Sequence, residues 1–259
     1  MFFLKFKNPK VLLTFLLTFG LAMGPPLPGM SQNKTIEKLN THFYPVSEED
    51  SASFSYFKMT SLTKDSVKLE RIFDRKNRLI RVIKTALNPV ADFKEKTTDT
   101  YDPQGNILSH RIANLANGKF IETFFFDQKQ VGQVLFEGNK TYHVIRNGEE
   151  KPSLKNSNDF EPRFTEPLET WNLYLINHLS IDQKKVKESN QNVIVGILVD
   201  EIGMVKKVEW ANPRGAEPYL AEKAIAAVKG WSRNFLPALD SFGNPTEKWL
   251  YVPITYKKH

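Results

Sequence analysis

The chain of 259 residues contains no cysteine. This absence excludes disulfide bonds, thiol catalysis, cysteine-bound zinc and a lipid-modified N-terminal cysteine. Histidine is scarce: the five residues are scattered and form neither an H-E-x-x-H motif nor a pair at i and i+4. There is no serine in a G-x-S-x-G elbow and no glycine-rich loop with a lysine for phosphate. The sequence therefore predicts a non-enzymatic protein without a cofactor or a bound metal.

Charge of one sign is not concentrated along the chain. The 36 Lys and Arg residues against 29 Asp and Glu residues give a formal net charge of +7. No stripe of lysine or arginine alternates with aromatic residues, so the pattern does not indicate a nucleic-acid partner. The basic residues are typical of a solvated surface.

Long apolar runs are also missing, apart from residues 11–23 near the N-terminus. Lysines precede this run, and Gly24-Pro25-Pro26 ends it before the small residues Gly29 and Ser31. The pattern predicts a signal peptide over residues 1–31, cut after Ser31, and hence an exported protein, either periplasmic or released from the cell. Cleavage would lower the formal charge from +7 to +4.

The alternative is an uncleaved anchor that holds the chain in the inner membrane, facing the periplasm. Thirteen residues span roughly 20 Å as a helix, whereas the hydrocarbon core is about 30 Å thick. This difference in length favours cleavage.

Residues 32–150 read as a β-rich domain. Between residues 67 and 73 every second residue lies on one face, the pattern of a strand. An aromatic residue and an aspartate precede three turns, at Asp74, Asp102 and Asp127, with spacings of 28 and 25 residues. These spacings suit one hairpin per repeat and resemble the meandering strand repeats of the MORN type. A generic antiparallel sheet with an aromatic core is the alternative.

Residues 151–166 contain Pro152 and Pro162 without apolar periodicity, and they predict a linker and domain boundary. A helix should begin at Pro167, because a proline in the first turn loses no helical hydrogen bond. Leu168, Trp171, Leu175 and Leu179 form its apolar stripe.

Residues 193–210 predict a β-hairpin in a second domain, residues 167–259. Both faces of the first strand are apolar except at Gly196, which indicates a strand inside a sheet. The carboxylates Asp200 and Glu201 could suggest catalysis, but Asp200-Glu201-Ile202-Gly203 between two strands favours a turn.

A helix and a final strand complete the domain. Pro218 predicts the first turn of the helix, and Gly230 predicts a left-handed C-terminal cap. The last strand covers residues 248–256. Pro253 within it has no N–H for the ladder, which predicts an edge strand or a bulge.

This order of hairpin, helix and strand resembles the C-terminal domain of the TonB family over residues 165–256, including forms of that domain seen in Bacteroidota. The positions that carry the resemblance in the hairpin, helix, loop, turn and strand are Val193, Val195, Ile197, Val199, Asp200, Gly203, Val205, Glu222, Ala224, Val228, Phe235, Pro237, Ala238, Gly243, Pro245, Val252, Pro253, Ile254 and Tyr256. Phe235 stands where the family usually has tryptophan.

The strand pattern of residues 32–150 predicts an N-terminal antiparallel β meander, and the resemblance implies a C-terminal TonB-like antiparallel sheet packed by helices, so the predicted fold class is α+β. It further implies a cell-envelope protein of TonB-dependent transport, whose partner is a segment of an outer-membrane transporter or another envelope protein. We expect the segment to add to the edge strand by β-augmentation. The expected partner-binding residues are Trp249, Leu250, Tyr251, Val252, Ile254, Thr255 and Tyr256.

A structural or assembly protein is the alternative function. In that case the TonB-like domain is a scaffold, and the aromatic N-terminal sheet makes the important contacts. Loss of all partner binding on deletion of residues 32–150 would favour this alternative. The edge strand would also allow a homodimer.

Overall fold

The computed structural model describes residues 34–47, 52–63 and 65–257. Within these ranges the chain is mostly antiparallel β-sheet with two α-helices, which fits the predicted α+β class. The predicted signal peptide, residues 1–31, lies outside the described residues. In the part of the chain that is described, no helix is both long enough and apolar enough to cross a membrane.

A ten-stranded antiparallel sheet forms the N-terminal half, and its described strands follow one another in chain order. This order is a meander, the simplest outcome when each strand turns back on its predecessor. The strands are β1 (Thr35–Leu39), β2 (Tyr56–Leu62), β3 (Lys68–Asp74), β4 (Leu79–Asn88), β5 (Phe93–Tyr101), β6 (Ile107–Asn114), β7 (Phe120–Phe126), β8 (Lys129–Gly138), β9 (Thr141–Arg146) and β10 (Ser153–Lys155).

Aspartate side chains close two of the predicted turns. Asp74 Oδ1 accepts from the N–H groups of Lys76 and Arg78, and Asp102 repeats this pattern after β5. The third turn is different, because Asp127 and Gln128 both have positive φ and connect β7 to β8 directly. That geometry is typical of a two-residue hairpin turn, which needs no side-chain cap.

The strand register assigns each side chain to one of two faces. Arg81 lies opposite Ile72 on one side and opposite Thr100 on the other, so these three residues share a face. Towards β9 the same face carries Val134 and Val144, which are fully buried with Phe160 in a small apolar cluster. This face is called the near face below.

The second sheet has three described strands in the order β13 (Val205–Trp210), β12 (Gln191–Val199) and β17 (Lys248–Tyr256). The helices α1 (Leu168–His178) and α2 (Pro218–Lys229) belong to the same half. The alternate residues of β12 from Val193 to Val199 are fully buried and pack with Leu220 and Trp171 in the largest apolar core. The predicted hairpin, helix and final strand are all confirmed.

Several short elements complete the fold. They are β11 (Arg163–Phe164) paired with β14 (Phe235–Leu236), β15 (Ala238–Leu239) paired with β16 (Pro245–Thr246), and a 3₁₀ helix (Gln183–Lys185). The predicted linker, residues 151–166, contains β10 and β11, and its Asp159 and Phe160 are buried. The described residues between 34 and 257 group into one compact unit.

The helix ends correct two details. Leu168 is 54% exposed, so the apolar stripe of α1 starts effectively at Trp171. Gly230 has φ −77°, so the predicted left-handed cap is wrong. Glycine is needed there for space, because a Cβ would lie 2.7 Å from Tyr174 Oη, which donates to Ala227 O.

Candidate partner-binding edge and the adjoining cleft

Strand β17 lies at one end of its sheet and pairs, among the described residues, with β12 alone. Pro253 stands opposite Ile194. The N–H of Ile194 donates to Asn212 Oδ1 and its carbonyl accepts from Ala211 N–H, so both groups point away from β17. Pro253 therefore occupies a non-hydrogen-bonded position, where no ladder bond is lost. The edge strand predicted from Pro253 is confirmed.

Alternation along β17 divides the seven predicted partner-binding residues into two groups. The backbone groups of residues 249, 251, 253 and 255 point to the free edge, and those of residues 250, 252, 254 and 256 point to β12. Leu250 packs against the core, and Val252, Ile254 and Tyr256 are buried within it. A partner can therefore reach Trp249, Tyr251 and Thr255, and the other four residues hold the strand in the sheet.

The face of β17 that carries Trp249 and Tyr251, opposite the apolar core, is called its outer face. It packs on the segment that follows β1. The His42 ring meets Trp249 edge-on, with 4.6 Å between the ring centroids. Gly196 makes room for this contact, because a Cβ there would lie 3.2 Å from the Trp249 ring and 3.3 Å from His42. Asn40 Nδ2 also donates to Ala211 O at 2.8 Å. The N-terminal half thus packs against the face of β17 that carries Trp249 and Tyr251.

A hydrogen-bond chain orients Tyr251. His42 Nε2 lies 2.8 Å from Glu209 Oε2, and His42 Nδ1 lies 3.2 Å from Tyr251 Oη. In the neutral ring Nε2 carries the proton, because a carboxylate only accepts, and Nδ1 then accepts from the Tyr251 hydroxyl. Burial raises the pKa of Tyr251 to about 12, so the phenol stays protonated at neutral pH.

Glu209 stays ionised in this chain of hydrogen bonds. Burial alone would raise the pKa of Glu209, but hydrogen bonds from Lys207 and His42 outweigh burial and hold it below its usual range. An ionised Glu209 accepts from both partners.

A cleft of about 890 Å³ lies between the near face of the ten-stranded sheet and β17. Arg81 and Lys96 line it from the sheet, Phe43 from the segment after β1, and Trp249 and Tyr251 from the edge strand. Its volume is within the range of sites that bind small molecules. It is called the edge cleft below.

The carboxylates of the edge cleft already have cationic partners. Glu70 lies 3.6 Å from Lys58 Nζ and 3.0 Å from Lys68 Nζ. Glu161 lies 2.8 Å from Lys248 Nζ, and Glu122 lies 3.5 Å from Arg111. Burial raises the pKa of Glu122, although the charge of Arg111 opposes the shift.

Among the described residues Arg81 forms no such ion pair, although the charge of Glu122 is close enough to influence its pKa. Its guanidinium lies 4.1 Å above the Phe43 ring, and its buried Nε has no hydrogen-bond acceptor among the described residues. Burial lowers the pKa of Arg81 below that of a free arginine. An arginine keeps its proton under such conditions, so the edge cleft contains a positive charge whose Nε–H has no acceptor among the described residues.

The predicted turn between β12 and β13 is confirmed, and it involves Asp200 directly. Asp200 Oδ1 accepts from the N–H groups of Ile202 and Met204, the pattern seen at Asp74 and Asp102. Among the described residues, no group of three or more His, Asp or Glu side chains is placed to hold a metal ion.

Sequence analysis did not identify Arg81, Phe43 or His42 as site residues. Arg81 interrupts the apolar run Leu79-Ile80-Arg81-Val82-Ile83, which is the only local signal. A charged residue in such a strand can face solvent or a cleft, and only the strand register decides between them.

Comparison with protein-family models, with curated proteins and with solved structures gave no match for this chain.

Proposed function

We propose that this chain is a non-enzymatic, TonB-like binding protein of the cell envelope that captures an extended segment of an outer-membrane transporter. The segment adds as a new strand to the free edge of β17 in the periplasm. The resemblance over residues 165–256 suggests the partner, and the geometry of β17 supports the mode of binding.

The observation that carries the proposal is the unpaired backbone of β17. The N–H groups of Trp249, Tyr251 and Thr255 point away from β12 and have no acceptor in the described part of the chain. Backbone groups in this arrangement accept a strand from another chain. Pro253 removes one donor from the edge, which limits the register that an added strand can adopt.

The contacts of β17 with the N-terminal half make its edge suitable for binding. His42 and Gly196 hold Trp249 and Tyr251 in place before a partner arrives. A rigid edge loses less conformational entropy on binding than a mobile one. The N-terminal half therefore contributes to binding even if it does not contact the segment.

A substitution of Tyr251 tests the proposal. Tyr251→Pro removes one edge N–H and leaves the bonds to β12 intact, so we expect the affinity for the segment to fall at least about tenfold. Tyr251→Val is the matched control, because it loses the same ring and the same bond to His42 but keeps the N–H. Synthetic peptides that cover the periplasm-facing segments of outer-membrane transporters serve as probes, with affinity measured by calorimetry.

Hydrogen exchange locates the contact in the same samples. We expect a captured peptide to protect the amides of Trp249, Tyr251 and Thr255. Equal affinity of Tyr251→Pro and Tyr251→Val would exclude the edge N–H as a determinant. Protection confined to the ten-stranded sheet would favour a structural or assembly protein instead.

A further inference from the structure

The Nε–H of Arg81 in the edge cleft has no acceptor among the described residues, and a negatively charged ligand would supply one. The side chains of Lys58, Arg81, Lys96 and Lys248 line the cleft together with Glu70, Glu122 and Glu161. Each carboxylate already contacts a lysine or an arginine. The guanidinium of Arg81 contacts the Phe43 ring, and its Nε–H is available to a ligand in the cleft.

The position of Arg81 suits a planar, two-oxygen acceptor. The guanidinium carbon lies 4.1 Å from the centre of the Phe43 ring, and the unpaired Nε marks one side of the fork. Arginine binds carboxylates through two parallel hydrogen bonds, and the geometry must be set in advance for this mode to be effective. Partial burial of the guanidinium strengthens such a pair, because it reduces screening by water.

The edge cleft also lies on the path of an added strand. Trp249 and Tyr251 line the cleft, so it opens on the outer face of β17. A strand paired with β17 alternates its side chains between the two faces of the sheet. Every second side chain of that strand would therefore lie on the face of the sheet that borders the cleft, which Arg81 also lines. Tyr251 and Arg81 are close enough for each charge to influence the pKa of the other.

We propose that the edge cleft selects segments with an aspartate or glutamate side chain, whose carboxylate pairs with Arg81. This inference rests on the proposed function, because it uses strand addition at β17 to bring the carboxylate into the cleft. It adds a rule of specificity: the backbone of β17 supplies affinity for any extended segment, and Arg81 discriminates between segments.

Paired peptides test the inference on the full chain. The probes are two pools of ten-residue peptides of alternating Thr and Val, which differ only in Glu or Gln at successive positions. We expect the protein to bind the best Glu peptide about tenfold to hundredfold more tightly than its Gln counterpart, as for a charge-assisted hydrogen bond. Arg81→Gln should bind both peptides with the affinity of the weaker one, and Arg81→Lys should retain part of the preference.

Several outcomes would overturn the inference. Equal affinity of the wild type for Glu and Gln peptides would remove the selectivity and leave strand addition standing. Loss of peptide binding in Tyr251→Val as well as in Tyr251→Pro would contradict strand addition itself. Free glutarate that binds at Arg81 without any peptide binding would make the cleft a small-carboxylate site, not a selector of segments.

Thermal unfolding separates selectivity from a structural role. Arg81→Gln removes a poorly solvated charge that has no acceptor, so we expect its melting temperature to equal or exceed that of the wild type. A melting temperature lowered by more than about 5 °C, with the Glu preference unchanged, would give Arg81 a role in packing only and overturn the inference.

Discussion

Gly196 lies on the central strand β12, where the rings of Trp249 and His42 approach the sheet closely. A Cβ at this position would meet both rings at 3.2–3.3 Å, which is tighter than ordinary van der Waals contact. The small size of Gly196 thus allows His42 of the N-terminal half to pack against Trp249 on β17. Glycine is required at position 196 because it is small, not because of its conformational freedom.

Substitution of Gly196 should therefore loosen this contact. We expect Gly196→Val to lower the free energy of unfolding by about 1–3 kcal/mol, because a branched side chain overpacks the site. Gly196→Ala should cost less, and the difference between the two variants gives the steric contribution. Urea unfolding measures both. Wild-type stability of Gly196→Val would mean that Trp249 and His42 can move aside freely.

At the scale of elements, one aspartate turn recurs in both halves. It follows β3, β5, β12 and β15, and in each case the first residue is an aspartate that caps two backbone N–H groups. The fourth residue has positive φ: Asn77 at 61°, Gly105 at 88°, Gly203 at 84° and Gly243 at 83°. The local sequence therefore specifies these turns without help from the core.

Two of these glycines form a matched pair for experiment. A Cβ on Gly105 would meet nothing within 4 Å, whereas a Cβ on Gly203 would collide with the carbonyl oxygen of Phe235. We expect Gly105→Ala to cost about 1 kcal/mol from positive φ alone, and Gly203→Ala to cost clearly more. Urea unfolding of the two variants measures the difference. Equal costs would show that the backbone at Phe235 moves aside without a loss of stability.

At the scale of the whole molecule, a buried ion pair joins the two halves. Arg146 at the end of β9 donates to Asp159 Oδ1 at 2.6 Å and, through Nε, to the carbonyl of Asp240 at 3.0 Å. Lys155 Nζ lies 2.5 Å from Asp159 Oδ2. Arg146 also lies 4.6 Å above the Phe160 ring. Asp159 is 2% exposed, so each charge depends on its partners.

The Asp159 cluster predicts a loss of stability in acid. Burial alone would raise the pKa of Asp159, but the hydrogen bonds and charges of Arg146 and Lys155 outweigh burial and lower it. A carboxyl with a lowered folded pKa stabilises the protein above its unfolded pKa, near 3.9, and loses this contribution as the pH falls through the folded value. Urea unfolding between pH 2 and pH 7 measures the effect.

Asp159→Asn provides the comparison. We expect the variant to lose roughly 3 kcal/mol at pH 7, because Arg146 keeps a buried charge without a carboxylate. Its stability should then depend less on pH below about pH 4 than that of the wild type. Asp92→Asn, at an exposed turn, is the control and should behave as the wild type does. An identical acid slope in Asp159→Asn would contradict the assignment.

The sequence by itself determined the elements whose cause is local. Alternating apolar residues specify β3, and a short run of apolar residues specifies β12. Aspartate turns specify the bends after Asp74, Asp102 and Asp200, and Pro253 marks β17 as an edge strand. These features depend on neighbours a few residues apart, and a chain carries that information in its order.

Only the tertiary structure decided what the edge strand lies against. The register of the ten-stranded sheet puts Arg81 on the near face, and the approach of His42 to Trp249 depends on residues about two hundred positions apart. No periodicity reports such a distant contact, because it results from the summed packing of many strands. The same packing buries Asp159 and Phe160 in a segment whose prolines predict a linker, and it creates the edge cleft.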